Sequence, residues 1–102
     1  MKILCVCVGG NCRSATLAYM LKYHYGHDAL ACGIEGNTQE TVTMLAEWAD
    51  RIIAVEPEIK EALSAHVHSK VTVWDVGPDR WFNPPASLMQ IFSHYLEHDR
   101  DV

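Results

Sequence analysis

The chain has 102 residues, 49% of them hydrophobic, which is enough for one compact core and too little for two ordinary domains; a single domain over 1–102 is expected. A formal charge of -5 with no cluster of lysines or arginines excludes nucleic acid and an acidic membrane as main partners, because both demand a basic surface. No apolar run approaches the ~18 residues of a membrane span, and MKILCVCVGG is too short for a secretory signal, so a cytoplasmic protein is expected.

Lys2 to Val8 is short and almost wholly apolar, the pattern of a strand buried on both faces. A helix is predicted from Ser14 to about Tyr25, where Leu17 and Leu21 recur with Met20 or His24; Ser14 is suited to cap it and Gly26 to stop it. Ala29 to Cys32 is a weaker strand closed by Gly33, and Asn37-Thr38 can cap a helix reaching about Ala49. Arg51 to Val55 reads as a further buried strand, Pro57 opens a helix through Leu63, and Lys70 to Trp74 is the last strand. From Pro85 to about His98, Leu88, Ile91, Phe92 and Tyr95 fall at i, i+3, i+4 and i+7, an amphipathic helix.

Strands alternating with helices predict parallel βαβ units. The expected fold is therefore α/β: a small doubly wound, three-layer α/β/α, four-stranded parallel sheet with a phosphate-binding loop after strand 1. Ligands of such sheets sit off the carboxyl ends of the strands. That rule places two stretches in one crevice, CVGGNCRS (7–14) after the first strand and Asp75 to Trp81 after the last.

The chemistry is concentrated in the first of these. A loop that leads into a helix can turn the backbone N–H groups of Val8, Gly9, Gly10, Asn11, Cys12, Arg13 and Ser14 toward an oxyanion, with the helix dipole behind them. Gly9 and Gly10 let the backbone approach the ligand closely. Arg13 can fork two oxygens of the same anion, which a lysine does less well. The same groups favour the thiolate of Cys7, and Ser14 can donate its hydroxyl to that sulfur. Cys7 then stands as a nucleophile in line for phosphorus. The four cysteines, Cys5, Cys7, Cys12 and Cys32, all lie in the first third without a C-x2-C pair, so they read as reduced thiols rather than a disulfide framework or a structural zinc site. Cys5, Cys32, Trp48 and Trp74 read as core. His66-Val67-His68 invites a metal reading, but two histidines at that spacing in a polar loop read as solvated; no metal and no cofactor are expected.

The pattern C-x5-R-S directly after the first strand resembles the low-molecular-weight protein tyrosine phosphatase family, in particular its short bacterial members. Pro78-Asp79-Arg80-Trp81 matches the place of the family's general acid, an Asp usually followed by Pro and an aromatic, while Ala31-Cys32-Gly33 and Ala49-Asp50-Arg51-Ile52-Ile53 are similar to its second and third strand regions. The resemblance implies a metal-independent phosphoric monoester hydrolase of phosphotyrosine proteins or small aryl phosphates. Under it Cys7 attacks phosphorus, Arg13 binds the phosphoryl oxygens, Ser14 tunes the thiol, and Asp79 first protonates the leaving phenolate and then activates water. Cys12 is the family's second loop cysteine, a redox partner able to trap an oxidised Cys7 as a disulfide. Trp81 either stands at the substrate rim, flanking a phenyl ring, or covers the edge of the core. The chain departs from the family in Gly10, where an Asn is usual, in Ala15, where a Pro is usual, and in Arg80, where a Pro is usual. Asp75 competes with Asp79 for the acid role. Two further readings stay open, a thiol-dependent arsenate reductase and a phosphate or phosphopeptide binding module with little turnover.

Overall fold

The computed structural model describes residues 1–9, 12–77 and 86–102. Strand β1 (Lys2–Cys7) is buried over all but its first residue, as its unbroken apolar run requires. It pairs in parallel with β2 (Asp28–Gly33) on one side and with β3 (Arg51–Ala54) on the other, and β4 (Val71–Val73) extends the sheet beyond β3. The order β2-β1-β3-β4 is that of a doubly wound sheet, with the direction of winding reversing between β1 and β3. Loops that leave the carboxyl ends of those two strands therefore part and open a crevice.

Parallel pairing demands crossovers, and helices supply them: α1 (Arg13–Tyr25), α2 (Gln39–Trp48), and α3 (Pro57–Ala62) followed by a 3-10 turn (Ala65–Lys70). The last helix, α4 (Ala86–His98), packs against α1 on one face of the sheet. The other face is covered by α2 and α3, and Val42 and Ala46 of α2 adjoin Leu63, just after α3, and Val67 of the 3-10 turn. Ile3, Leu4, Val6, Ile52 and Ile53 from the strands meet Leu17, Leu21, Leu88 and Phe92 from the helices in a core with no solvent exposure. Cys32 and Trp74 lie in that core as anticipated, whereas Trp48 is only half-buried at its margin.

Element ends differ from the sequence reading for local reasons. β1 stops at Cys7 rather than Val8, because the carbonyls of Cys7 and Val8 accept from the loop after β2 instead of continuing the ladder. β2 runs from Asp28, whose N–H donates to the Met1 carbonyl at 3.0 Å, to Gly33. α2 begins after Thr38, whose hydroxyl accepts from the Thr41 N–H, and α1 ends in left-handed Gly26 at φ 73°. Lys70 closes the 3-10 turn instead of opening β4; its ammonium donates to the carbonyls of Ala46 at 2.7 Å and Ala49 at 2.8 Å, satisfying the otherwise orphaned end of α2.

Candidate active site

Cys7 is the last residue of β1 and is 1% exposed, at the carboxyl edge of the sheet. Its Sγ lies 3.0 Å from Ser14 Oγ, and either atom can donate. Ser14 does not cap α1 as its position suggested. Arg13 is the first helical residue and Cys12, at the N-cap, does not cap the helix with its side chain, so the Ser14 hydroxyl falls inside the first turn, fully buried and turned to the thiol. A hydroxyl engaged by the sulfur of Cys7 is diverted from the helix end.

Arg13 is also fully buried. Its Nη1 forms a close ion pair with Glu56 Oε1 and donates to the Gly77 carbonyl at 2.8 Å. Glu56 follows the end of β3 and precedes the N-terminal proline of α3. Sequence reasoning missed it, because an acidic residue before a helical proline reads as a favourable charge at a helix start. The available signal was topological. β3 neighbours β1 across the reversal of winding, with Val6 in register with Ala54, so the exit of β3 faces the exit of β1.

A second layer holds the loop from the β2 side. The Ile34 N–H donates to the Cys7 carbonyl at 3.0 Å, and the N–H groups of Glu35 and Gly36 donate to the Val8 carbonyl at 2.9 and 3.3 Å. Gly36 then stands so close that a Cβ there would come within 2.0 Å of the Gly9 carbonyl oxygen. Asn37 locks this segment, accepting on Oδ1 from the Gly33 N–H at 2.9 Å while its own N–H donates to the Gly33 carbonyl at 3.1 Å. Val8, Gly9 and Cys12 are half-buried around Cys7. The sequence-predicted Gly10, Asn11, Asp79 and Trp81 lie outside the described residues. Asp75 is engaged in a turn, its Oδ1 accepting from the Gly77 N–H at 3.0 Å and its carbonyl from the Tyr95 hydroxyl at 3.1 Å. A recess of about 330 Å³ lined by Glu56, Pro57, Glu58, Asp75 and Gly77 adjoins the Arg13 anchor.

The other strand cysteines are chemically quiet. Burial pushes the Cys5 thiol far up, with the nearby Cys32 and Cys7 adding to the effect, and burial followed by Cys7 pushes Cys32 up to about 11. Both stay protonated near neutral pH. His68 Nε2 lies 2.9 Å from the Leu63 carbonyl oxygen while His66 lies 3.7 Å from Glu47, so the two rings engage separate partners.

Among solved structures, the chain superposes on the tyrosine phosphatase Wzb from Escherichia coli K30 in complex with phosphate, with a TM-score of 0.74 over 94% of this chain and 93% of that one, at 15% identity. The chain has the low-molecular-weight phosphatase fold. Vibrio vulnificus Wzb in complex with benzylphosphonate shares that fold with a TM-score of 0.69 at 21% identity, over 90% of this chain and 89% of that one. The YwlE arginine phosphatase, in a Cys-to-Ser form with a phosphorylated active-site serine, shares it with a TM-score of 0.68 at 17% identity, over 99% of both chains. No family model matches the sequence, and no curated protein matches it. At these identities the low-molecular-weight phosphatase fold itself is what is shared, a parallel sheet whose first strand runs through a loop into a helix. No helix among the described residues is long and apolar enough to cross a membrane.

Proposed function

We propose that the protein is a phosphomonoesterase that works through a cysteinyl phosphate, acting on phosphotyrosine proteins or small aryl phosphates. The observation that carries this reading is the contact of the buried Cys7 thiol with the Ser14 hydroxyl at 3.0 Å, one residue from the buried Arg13 guanidinium at the start of α1. A thiol that only filled the core would not need a buried hydroxyl against it.

Cys7 attacks phosphorus in line and the P–O bond to the leaving group breaks, giving a phosphocysteine. Arg13 and the backbone N–H groups of the loop stabilise the charge on the equatorial oxygens. Asp79 gives its proton to the departing aryl oxygen, then takes one from the water that hydrolyses the S–P bond. Ser14 donates to the sulfur both as thiolate and as leaving group. Trp81 flanks the aryl ring. Phosphatase-fold structures that hold phosphate, benzylphosphonate and a phosphorylated active-site serine support this chemistry by analogy of fold. The test is hydrolysis of p-nitrophenyl phosphate in EDTA. Turnover is expected in the parent, absent in Cys7→Ser and about 10²-fold lower in Asp79→Asn. A Cys7→Ser protein that keeps turning over would refute the mechanism.

A further inference from the structure

Arg13 donates from one nitrogen in two directions. An arginine Nη carries two protons, and at Nη1 one is taken by the Glu56 carboxylate and the other by the Gly77 carbonyl at 2.8 Å. Both protons of that nitrogen are committed, so an oxyanion can be forked only by the opposite edge, Nε with Nη2. The two partners come from different strand exits, Glu56 after β3 and Gly77 after β4, and so hold the guanidinium from two directions. Glu56 is itself only 17% exposed, which makes the pair stiff and weakly screened.

We propose that Glu56 is the positioning residue of the phosphate site, tethering Arg13 through Nη1 so that its Nε–Nη2 edge is set in advance for the phosphoryl oxygens of the transition state; this rests on the phosphatase reading. A carboxylate beside the arginine works against ground-state binding, because its charge repels an incoming dianion. Its benefit must therefore lie in orientation. That separates two measurable quantities: loss of the tether lowers kcat, while the weaker repulsion offsets the poorer fork in phosphate binding. Glu56 touches neither substrate nor the reacting sulfur in this scheme.

The experiment measures kcat for p-nitrophenyl phosphate and competitive inhibition by inorganic phosphate, with each preparation normalised to the fraction of Cys7 that iodoacetate alkylates. Glu56→Ala is expected to lose about 10²-fold in kcat, the cost of a misplaced catalytic group, with the phosphate inhibition constant within about threefold of the parent. Glu56→Gln, whose side-chain carbonyl still accepts from Nη1, is expected to recover kcat to within about tenfold of the parent. If Glu56→Ala does not fold, Glu56→Asp replaces it: the charge is kept but the reach is one methylene shorter, and kcat below that of Glu56→Gln is expected. Parent-like kcat in Glu56→Ala or Glu56→Asp would overturn the inference. So would a fall in kcat no larger than the fall in alkylatable Cys7. A parent without turnover would instead overturn the phosphatase reading, and this inference with it.

Discussion

The Ser14 hydroxyl, 3.0 Å from the Cys7 sulfur and shut off from solvent, has a role that can be separated from packing. Truncating its hydroxymethyl group to a methyl changes the volume little but removes the donor that stabilises negative charge on sulfur, both before attack and when the phosphocysteine breaks down. Ser14→Ala is therefore expected to lower kcat for p-nitrophenyl phosphate about tenfold, with a stability change of only about 1 kcal/mol, the net worth of one hydrogen bond. Steady-state kinetics beside a thermal melt check this, and a Ser14→Ala enzyme with parent-like kcat would reduce the contact to packing. At this scale the sequence was legible where the chemistry demands particular residue types at fixed spacing. C-x5-R-S alone points to Cys7, Arg13 and Ser14, and the structure buries all three and sets the Cys7 sulfur 3.0 Å from the Ser14 hydroxyl. Glu56 was not legible, since its partner is 43 residues away and only the neighbouring of β1 and β3 brings them into contact.

Strands and helices were read from runs and periodicity, and their order survived; their ends did not, because ends are decided by bonds to other elements. β1 loses Val8 to the N–H groups of Glu35 and Gly36, and β4 loses Lys70 to the carbonyls of α2, neither of which a local pattern encodes. The same bonds make the loop after β2 a support for the loop after β1. Two glycines separate steric from conformational effects in these connections. Gly36 has no positive φ, yet a Cβ there would meet Gly9 backbone atoms at 2.0 and 2.9 Å, and backbone cannot swing aside as a side-chain tip can. Gly36→Ala must push the two loops apart, and a displacement of about 1 Å at the nucleophile's loop is expected to cost about 10²-fold in kcat/KM. Gly26 presents the opposite case, φ 73° with nothing within 4 Å of a Cβ, at the far end of α1. Gly26→Ala is expected to cost about 1 kcal/mol in stability through backbone strain and to leave kcat/KM unchanged. Equal catalytic losses in the two variants would show that the close approach of Gly36 to Gly9 does not matter to the loop.

At the scale of the whole molecule, the edge of the sheet is closed by a single arginine. Arg51 at the start of β3 donates from Nη1 to Asp99 Oδ1 at 2.9 Å and from Nη2 to Thr72 Oγ1 in β4 at 3.1 Å, and Nη2 also forms a close ion pair with Asp99 Oδ2. Its guanidinium carbon stands 5.9 Å from the centre of the Trp74 ring, which stacks in turn on Tyr95 of α4 at 5.3 Å between centroids. One side chain thus ties β3, β4 and the segment after α4, in a pair whose members are only 14% and 16% exposed. The Arg51 hydrogen bonds, outweighing the opposing effect of burial, hold the Asp99 carboxyl below its ordinary value of 3.8. A carboxylate with a depressed folded-state pKa contributes stability that is fully present above the unfolded value and is lost as pH falls through the folded one. At pH 7, Asp99→Asn is accordingly expected to lower Tm by about 5 °C, the equivalent of about 1 kcal/mol in a domain of this size. As pH falls below the ordinary value of 3.8 and through the lower folded-state value, the parent protonates Asp99 itself, and the two melting curves are expected to draw together. Melts of both proteins from pH 7 down to pH 3 decide the point: a gap in Tm that stays constant across that range would mean that Asp99 acts through its shape and not through its charge.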